Sequence, residues 1–187
     1  MSWTAVVPLK QGGGRKTRLG GRLSPDERAD LGDRMAAHVV ECLARVPAIG
    51  RVLVLSAQRD PESPHEWRRD AGRGLNEELS ALRDDEGGKL LVIHGDLPLV
   101  TSDDIEALIE AAGERGCAIA PDRHDSGTNA LAIAHDGPFE FSFGDNSFAL
   151  HRAASAGQGI AVRRPGLSID VDTPDDLDAA IAAGFPG

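Results

Sequence analysis

Four short apolar runs recur along the chain, at residues 3–9, 51–56, 89–94 and 117–121. Each run is continuous, with no alternation between apolar and polar positions. A strand with one face in water alternates, whereas a strand covered on both faces does not. The pattern therefore predicts four strands buried in a largely parallel sheet.

Helical patterns lie between these runs, and three of them begin with a capping sequence. T-S-D-D at 101–104 and T-P-D-D at 173–176 each start a helix, and S-P-D-E at 24–27 is a capping box, with a hydroxyl three residues before a carboxylate. Such a pair satisfies the first free N–H groups of a helix. Shorter helices are predicted over 76–82 and 147–156. The alternation of strands and helices indicates an α/β fold.

Two other segments depart from this alternation. Residues 128–134 and 139–141, separated by H-D-G-P, predict a strand, a turn and a second strand, and hence an antiparallel excursion from the parallel sheet. Residues 58–74 are polar and proline-containing, which indicates an excursion and not a linker. No internal repeat divides the chain, and 187 residues suit one domain. Residues 1–187 are therefore predicted to form a single domain.

Composition and charge narrow the function classes. The formal net charge is −10, which disfavours a nucleic-acid partner because nucleic-acid binding needs a basic face. The apolar runs are too short to span a bilayer, and no basic region precedes the first one, so neither a membrane partner nor a signal peptide is expected. Cys42 and Cys117 lie far apart among apolar residues and predict reduced thiols in the cytoplasm.

A glycine-rich loop after the first strand holds two of the three lysines of the chain. It contains Gly12 and Gly13, with Lys10, Lys16 and Arg18 around them. Backbone N–H groups of such a loop can approach phosphates, whose charge the cations neutralise. The P-loop pattern is not matched, because an arginine precedes Lys16 where that motif needs glycine. The loop predicts phosphate binding, with a solvated surface loop as the alternative.

Carboxylates follow the third strand and precede the last helix. Asp96 stands in G-D-L-P, and Asp170 and Asp172 stand in I-D-V-D. Ligands of α/β sheets bind at the carboxyl ends of strands, and carboxylates from separate segments are a common way to hold Mg²⁺ on phosphates. These residues predict a magnesium site, with turn formation or helix capping as the alternative.

A second candidate anion site lies between Gly144 and Ser147, where the chain enters a predicted helix with Ser147 as its capping hydroxyl. A helix N-terminus favours an anion, although capping alone would also explain the serine. Gly127 and Thr128 form a turn whose polar groups line a pocket or face water. His151, one helical turn further on, is either functional or a surface residue. No nucleophilic triad and no zinc-ligand spacing are present.

Together these motifs resemble those of a known enzyme family. The matching blocks are Lys10 with K-T-R-L at 16–19, G-L-N at 74–76, G-D-L-P-L at 95–99, A-P-D-R at 120–123, G-T-N-A-L at 127–131, Phe143-Gly144 with Ser147 and His151, and D-V-D-T-P at 170–174. Their order and spacing resemble the 2-phospho-L-lactate / phosphoenolpyruvate guanylyltransferases, which serve synthesis of the deazaflavin coenzyme F-420. The likeness runs over almost the whole chain.

The resemblance implies a fold, a reaction and a set of residue roles. The fold is the single-domain nucleotidyltransferase sandwich (glycosyltransferase-A-like, Rossmann-like), with a mostly parallel sheet and an antiparallel excursion. GMP passes from GTP to a phosphorylated three-carbon acid, and pyrophosphate leaves. The implied roles are catalysis for Lys10 and Asp96; acid binding for Lys10, Thr128, Gly144 and Ser147; nucleotide binding for Gly12, Gly13, Lys16, Arg18 and Asn76; and Mg²⁺ binding for Asp96 and Asp170.

Several alternatives stay open at this point. The acceptor can be phosphoenolpyruvate, 2-phospho-L-lactate or 3-phospho-D-glycerate. A related nucleotidyltransferase, acting on a molybdenum cofactor, a sugar acid or an isoprenoid precursor, would share the glycine loop and G-D motif. A non-catalytic nucleotide-binding regulator would share the fold. A homodimer, and hand-over of the product to the next enzyme of the pathway, are open as partner assignments.

Overall fold

Seven strands form one mixed sheet in the part of the chain that the computed structural model describes, residues 2–10 and 16–187. The order across the sheet is β3-β2-β1-β4-β6-β5-β7. Strand β6 runs antiparallel to β4 and β5, and the other pairings are parallel. The strands are β1 (Trp3–Pro8), β2 (Ile49–Ser56), β3 (Glu66–Arg69), β4 (Lys89–Ile93), β5 (Cys117–Pro121), β6 (Thr128–Ile133) and β7 (Ile160–Ala161).

The helices begin where the capping sequences predict them. They are α1 (Pro25–Ala44), α2 (Leu75–Glu86), α3 (Ser102–Arg115), α4 (Ser147–Ala154), α5 (Pro165–Ser168) and α6 (Pro174–Ala182). Ser24, Thr101 and Thr173 each accept a hydrogen bond from the backbone N–H three residues on, while the carboxylate at that position accepts from the cap residue. The predicted capping box at Ser24 and the three predicted helix starts are therefore confirmed, and the starts at Thr101 and Thr173 are capping boxes as well. Among the described residues, no helix is both long enough and apolar enough to cross a membrane.

Apolar cores cover both faces of the sheet. Ala5 and Val7 of β1 join a cluster with α1 and α3, whereas Val6 between them joins a cluster with α2 and α4. Neighbouring residues of a strand point to opposite faces, so a strand covered on both sides is apolar throughout. This arrangement confirms the predicted α/β fold class with its mostly parallel sheet.

A third apolar cluster holds the end of the glycine-rich loop in place. Leu19, in a short 3₁₀ helix at Thr17–Leu19, is fully buried and packs in a cluster with residues of α1 and α6. Because Leu19 lies three residues after Lys16, its burial restricts where the Lys16 side chain can reach.

The predicted second strand at 139–141 is wrong, and so is the hairpin it implied. Strand β6 pairs with β4 on one side and β5 on the other, so it has no free edge for a third partner. Phe139 and Phe141 lie in an irregular segment and pack their rings into the α2–α4 core. The antiparallel element exists, but it is β6 itself.

Three short elements lie in segments for which the sequence predicted none. The polar excursion at 58–74 contains β3, an edge strand held to β2 in part by ion pairing of Arg51 with Glu66. Strand β7 has two residues and helix α5 has four. Elements this short carry too little periodicity to be read from a sequence.

Candidate active site

Polar side chains collect at the carboxyl edge of the central strands. Asp96 follows β4, and β6 starts at the same edge because it runs in the opposite direction. The His94 N–H donates to the carbonyl of Asn129 at 2.9 Å, and the Val171 N–H donates to the carbonyl of Asp96 at 3.1 Å. These backbone bonds join segments that are far apart in the sequence into one site.

Three carboxylates meet at this edge. Asp96, Asp170 and Asp172 each offer an oxygen, and these oxygens all lie within 4.8 Å of one another. The Lys16 ammonium donates to Asp96 at 2.5 Å and to Asp172 at 2.7 Å, with its side chain only 11% exposed. The glycine-rich loop therefore delivers one of its two lysines directly to the predicted metal ligands.

The crowding of negative charge shifts the pKa values of this cluster. Burial, together with the nearby charge of Asp96, raises the pKa of Asp170 to about 6. Burial would lower the pKa of Lys16, but the two aspartates outweigh it and hold the pKa above its usual value. Burial would raise the pKa of Asp96, but Lys16 and His94 hold it below its usual value. The cluster thus has excess negative charge that favours a further cation.

The cluster suits a magnesium ion. The Oδ1 atom of Asp96 is buried and has no hydrogen-bond partner among the described residues. An unpartnered buried carboxylate oxygen is costly in the absence of a cation. Mg²⁺ prefers carboxylate oxygens and binds through one or two of them together with substrate phosphates. Asp96 and Asp170, with Asp172 beside them, match that donor set.

A β-bulge at the start of β6 assigns the next two side chains to different sides of the sheet. Ala120 pairs with Ala130, whereas Pro121 pairs with Thr128, so one extra residue sits on β6. Asn129 donates to Asp170 Oδ1 at 3.1 Å. Thr128 contacts His151 on α4 instead. Strict alternation would give Thr128 the face of Ala130, and the bulge turns it to the α4 side.

The Thr128 side of the site is neutral and buried. Thr128 Oγ1 lies 3.0 Å from His151 Nδ1, and the Ser142 N–H donates to His151 Nε2 at 3.0 Å. Phe143 packs edge-on against His151 with 4.7 Å between ring centroids, and lies 5.3 Å from the ring of His94. Burial lowers the pKa of His151 to about 4, so the imidazole is uncharged near neutral pH.

The entry to α4 differs from the predicted cap. The N-cap is Asn146, and Ser147 is the first helical residue, so the predicted capping role of Ser147 is wrong. Ser147 is 2% exposed. Gly144 has φ of 124°, which side-chain-bearing residues rarely adopt. A Cβ on Gly144 would meet nothing within 4 Å among the described residues, so open space lies beside this backbone.

Asn76 secures the chain just before Gly144. Its Oδ1 accepts from the Phe143 N–H at 2.7 Å, and its Nδ2 donates to the Phe143 carbonyl at 3.2 Å. The side-chain amide of Asn76 is thus engaged at both ends with the Phe143 backbone. Its predicted contact with guanine stays a prediction.

The remaining predicted site residues belong to the basic loop. Lys10 is exposed and close enough to His94 that its charge helps burial to lower the pKa of that histidine. Arg18 is exposed on the 3₁₀ helix. Gly12 and Gly13 lie outside the described residues. The nucleotide-binding roles of Gly12, Gly13 and Arg18 stay predictions.

The comparisons with known proteins identify the family. The family model "Guanylyl transferase CofC like" matches residues 3–185. The chain belongs to this family. A phosphoenolpyruvate guanylyltransferase from Sphaerobacter thermophilus is 41% identical, over 95% of this chain and 92% of the relative. A 2-phospho-L-lactate guanylyltransferase from Methanothermobacter thermautotrophicus is 33% identical, over 98% and 86%.

A solved structure supports the fold independently of the family. The chain superimposes on a nucleotidyl transferase from Methanothermobacter thermautotrophicus with a TM-score of 0.63, covering 98% of this chain and 97% of that one. The two sequences are 16% identical, so the likeness concerns the fold alone. The predicted family and the predicted nucleotidyltransferase fold are both confirmed.

In this guanylyltransferase family member, the turn before β6 has a structural explanation. The carboxylate of Asp122 accepts from the N–H groups of His124, Ser126 and Gly127. A Cβ on Gly127 would lie 2.8 Å from Asp122 Oδ2, so a side chain there would displace the carboxylate that organises the turn. The side chains near this turn stabilise the loop that presents Thr128, and Asp122 has no part in the carboxylate cluster.

Two residues near the site were not singled out in the sequence. Asn129 donates to Asp170, and His94 has a buried Nε2, lies 5.3 Å from the Phe143 ring and feels the charges of Asp96 and Lys16. Asn129 is part of the G-T-N-A-L block and His94 directly precedes G-D-L-P, but neither pattern indicated a role for these two side chains. Their side-chain directions depend on the bulge and on the end of β4, which no sequence periodicity reports.

Proposed function

We propose that this chain transfers GMP from GTP to a phosphorylated three-carbon acid and releases pyrophosphate. The observation that carries the proposal is the cluster of Asp96, Asp170 and Asp172 with the Lys16 ammonium among them. Phosphoryl-type transfer needs positioning and charge neutralisation more than covalent chemistry. The names of the relatives supply the nucleotide and the acid.

The proposed reaction exchanges one phosphorus–oxygen bond for another. A phosphate oxygen of the acid forms a bond to the α-phosphorus of GTP, and the bond from that phosphorus to the bridging oxygen of pyrophosphate breaks. Negative charge builds up on the α-phosphate and on the leaving pyrophosphate. Cations at the carboxyl edge of the sheet lower the energy of that transition state.

Asp96 and Asp170 are proposed to hold Mg²⁺, which when bound neutralises phosphate charge as a Lewis acid. Asn129 orients Asp170 through the hydrogen bond to its Oδ1. Lys16, which now neutralises Asp96 and Asp172, pairs with the triphosphate once GTP is bound. Lys10, at the exposed end of the same loop, stabilises the charge that develops on the reacting phosphates.

The acid is assigned to the neutral side of the site. Thr128, Ser147 and the backbone of Gly144 are proposed to bind it, because this side offers neutral hydrogen-bond donors and open space beside Gly144. Gly12, Gly13 and Arg18 are assigned to the phosphates of GTP and Asn76 to the guanine end. The basic loop and the carboxylates already serve the nucleotide, which leaves the second anion for the neutral side.

The pathway and the location complete the proposal. Transfer of GMP to phosphoenolpyruvate or 2-phospho-L-lactate serves synthesis of coenzyme F-420, and the product passes to the next enzyme of that pathway. Cys42 and Cys117 are free and buried, which fits the cytoplasmic location that we propose.

The decisive experiment measures pyrophosphate. The protein, Mg²⁺ and GTP are mixed separately with phosphoenolpyruvate, 2-phospho-L-lactate and 3-phospho-D-glycerate, with ATP and CTP as nucleotide controls. Pyrophosphate is expected with GTP only when one of the acids is present, in equal amount to a guanylylated acid detected by mass spectrometry. Omitting the acid, or replacing Asp96 by Asn, should abolish the signal.

The alternatives give different results in the same assay. GTP binding without pyrophosphate for any acid contradicts the proposal and favours a non-catalytic nucleotide-binding regulator. Pyrophosphate with CTP and a sugar acid or isoprenoid phosphate, but not with a three-carbon acid, favours a related nucleotidyltransferase.

A further inference from the structure

His151 is a buried histidine with two hydrogen-bonded ring nitrogens and no role in the mechanism above. It is 0% exposed and lies on α4 between the rings of Phe139 and Phe143, at 6.0 and 4.7 Å between centroids. Both of its nitrogens have partners: Nδ1 faces Thr128 Oγ1, and Nε2 faces the Ser142 N–H. These partners together determine where its proton is.

The Ser142 contact determines the tautomer. A backbone N–H can only donate, so Nε2 at 3.0 Å must accept and carries no proton. A neutral imidazole then has its one proton on Nδ1. Burial keeps the ring in that neutral form. The Nδ1–H therefore donates to Thr128 Oγ1 at 3.0 Å.

The direction of that bond determines what the Thr128 hydroxyl can do. A hydroxyl that accepts a hydrogen bond from Nδ1–H must turn its own hydrogen away from the ring. It is then a donor to another group, and a donor is what an anionic ligand needs. The start of α4 lies against the loop before Thr128, because the Phe148 N–H donates to the Ser126 carbonyl at 3.2 Å, and the space beside Gly144 is open. The opposite tautomer would have made the same hydroxyl donate to the ring and present lone pairs to the ligand.

We propose that His151 is a positioning residue that fixes the Thr128 hydroxyl as a hydrogen-bond donor to the anionic group of the phosphorylated acid. This inference rests on the proposed function, in which Thr128 binds the acid. It gives the acid side of the site a built-in preference for an anion without a positive charge, so that GTP phosphates are attracted to the basic loop and not here.

Two variants of His151 separate the two hydrogen bonds. Asn places its amide where Nδ1 lies, so His151→Asn keeps a donor to Thr128 and loses the acceptor for Ser142. Gln reaches to the place of Nε2, so His151→Gln keeps the acceptor for Ser142 and loses the donor. Both variants remove the same ring from the core, and each is the control for the other.

The two variants are expected to differ in their KM for the acid. His151→Gln should raise the KM for the acid by about 10-fold, the effect of losing one oriented hydrogen bond to a charged group. Its KM for GTP and its kcat should change less than 3-fold. His151→Asn should keep the KM for the acid within about 3-fold of wild type. Equal KM values for the two variants, or a KM that follows the melting temperature alone, would overturn the proposal.

A double variant tests whether the effect passes through Thr128. Thr128→Val removes the hydroxyl that His151 is said to orient. His151→Gln added to Thr128→Val should raise the KM for the acid no further than Thr128→Val alone, because coupled residues are not additive. Multiplying effects would mean that His151 acts independently of Thr128, and the proposal would fail.

A spectroscopic measurement and a binding measurement keep the inference separate from the proposed function. Nitrogen-15 NMR of the histidine rings should find the His151 proton on Nδ1 in the wild type, and a proton on Nε2 would overturn the assignment. Calorimetry with phosphoenolpyruvate should follow the same order as the KM values. If wild type and the two variants bind the acid in this order but wild type releases no pyrophosphate, the proposed reaction fails and the role of His151 stands. If wild type transfers GMP but the three proteins do not bind the acid in this order, the role of His151 fails and the proposed reaction stands.

Discussion

The two sides of the proposed site would each hold a negatively charged ligand, and they differ in the physical means available for it. The proposed nucleotide side is strongly charged: Lys16 pairs with Asp96 and Asp172, and Asp170 offers an oxygen within 4.8 Å of theirs. The acid side holds a neutral hydroxyl, a neutral buried histidine and a glycine backbone. Two consecutive residues, Thr128 and Asn129, divide the sides because the bulge in β6 turns them apart.

Under the proposed assignment, this difference explains why GTP and the phosphorylated acid would not exchange places. Charge attracts at a distance and with little geometric demand, so it suits a triphosphate with a metal. Neutral donors act only at short distance and in a fixed direction, so they suit one small acid in one orientation. Perturbing each side should therefore affect different kinetic constants.

The largest effect is expected from breaking the charged side. Asp96→Asn removes the carboxylate whose Oδ1 has no partner among the described residues, and should lower kcat by about 1,000-fold with little change in fold, because several kcal/mol of electrostatic stabilisation are lost. Turnover and the Mg²⁺ dependence of the melting temperature are measured. Asp178→Asn, in an exposed ion pair with Arg22, is the matched control. Near-normal turnover of Asp96→Asn would refute the metal assignment.

The buried, neutral His151 is expected to make the folded chain less stable as the pH falls. The pKa of His151 is about 4 in the folded chain and 6.5 in its ordinary state. Above pH 6.5 neither the folded nor the unfolded chain binds the proton, so protonation of His151 does not reduce the free energy of unfolding. As the pH falls from 6.5 to 4, only the unfolded chain gains the proton, and the free energy of unfolding drops by about 3 kcal/mol.

The stability prediction is measured as a difference between two chains. Urea unfolding of wild type and of His151→Gln from pH 7 to pH 4 should give curves that converge as the pH falls. His94 is present in both chains, so the comparison removes most of its own contribution to the pH dependence. A difference that is constant over this range would mean that His151 takes up its proton in the folded chain as readily as in the unfolded one, which would contradict a lowered pKa.

The two lysines of the basic loop should differ from each other. Lys10→Ala is expected to lower kcat by about 100-fold, because a point charge near developing phosphate charge acts mainly in the transition state. Lys16→Ala should chiefly raise the KM for GTP, and it should also strengthen Mg²⁺ binding to the free protein, since Lys16 now pairs with the carboxylates. Isothermal calorimetry with Mg²⁺ and steady-state kinetics check both.

The third lysine is the control for this pair. Lys89 begins β4 and lies over the ring of Trp3, 5.7 Å from its centroid, at the other end of the strand from Asp96. Lys89→Ala should leave the kinetic constants unchanged. Wild-type kinetics in Lys10→Ala and Lys16→Ala alike would mean that the loop only covers the surface.

The smallest kinetic effect is expected from Ser147→Ala, which tests whether the start of α4 belongs to the acid or to GTP. Ser147→Ala should raise the KM for the acid by about 10-fold and that for GTP much less, by loss of one hydrogen bond to a charged group. Because Asn146 is the N-cap of α4, the melting temperature should change little, and it is recorded alongside. A raised KM for GTP with an unchanged KM for the acid would reverse the assignment of the two sides.

Local features of the chain could be read from the sequence because they depend on neighbours. The three capping boxes, the buried strands and the charged motifs before and after them lie in short contiguous stretches. Topology then places the carboxyl ends of β1 and β4 at one edge, where the sequence predicted phosphate and metal binding. The ion pair of Lys16 with Asp96 was not predicted and is seen only in the structure.

What tertiary structure alone decided is where neighbouring side chains point and what their hydrogen bonds mean. Three features depend on contacts that the local sequence does not report. They are the absence of the strand predicted at 139–141, the bulge that separates Thr128 from Asn129, and the position of the proton on His151. The amino-acid sequence shows only that a histidine is present at position 151. Its tautomer is determined by a backbone N–H nine residues away in the chain, which only the packed fold brings to the ring.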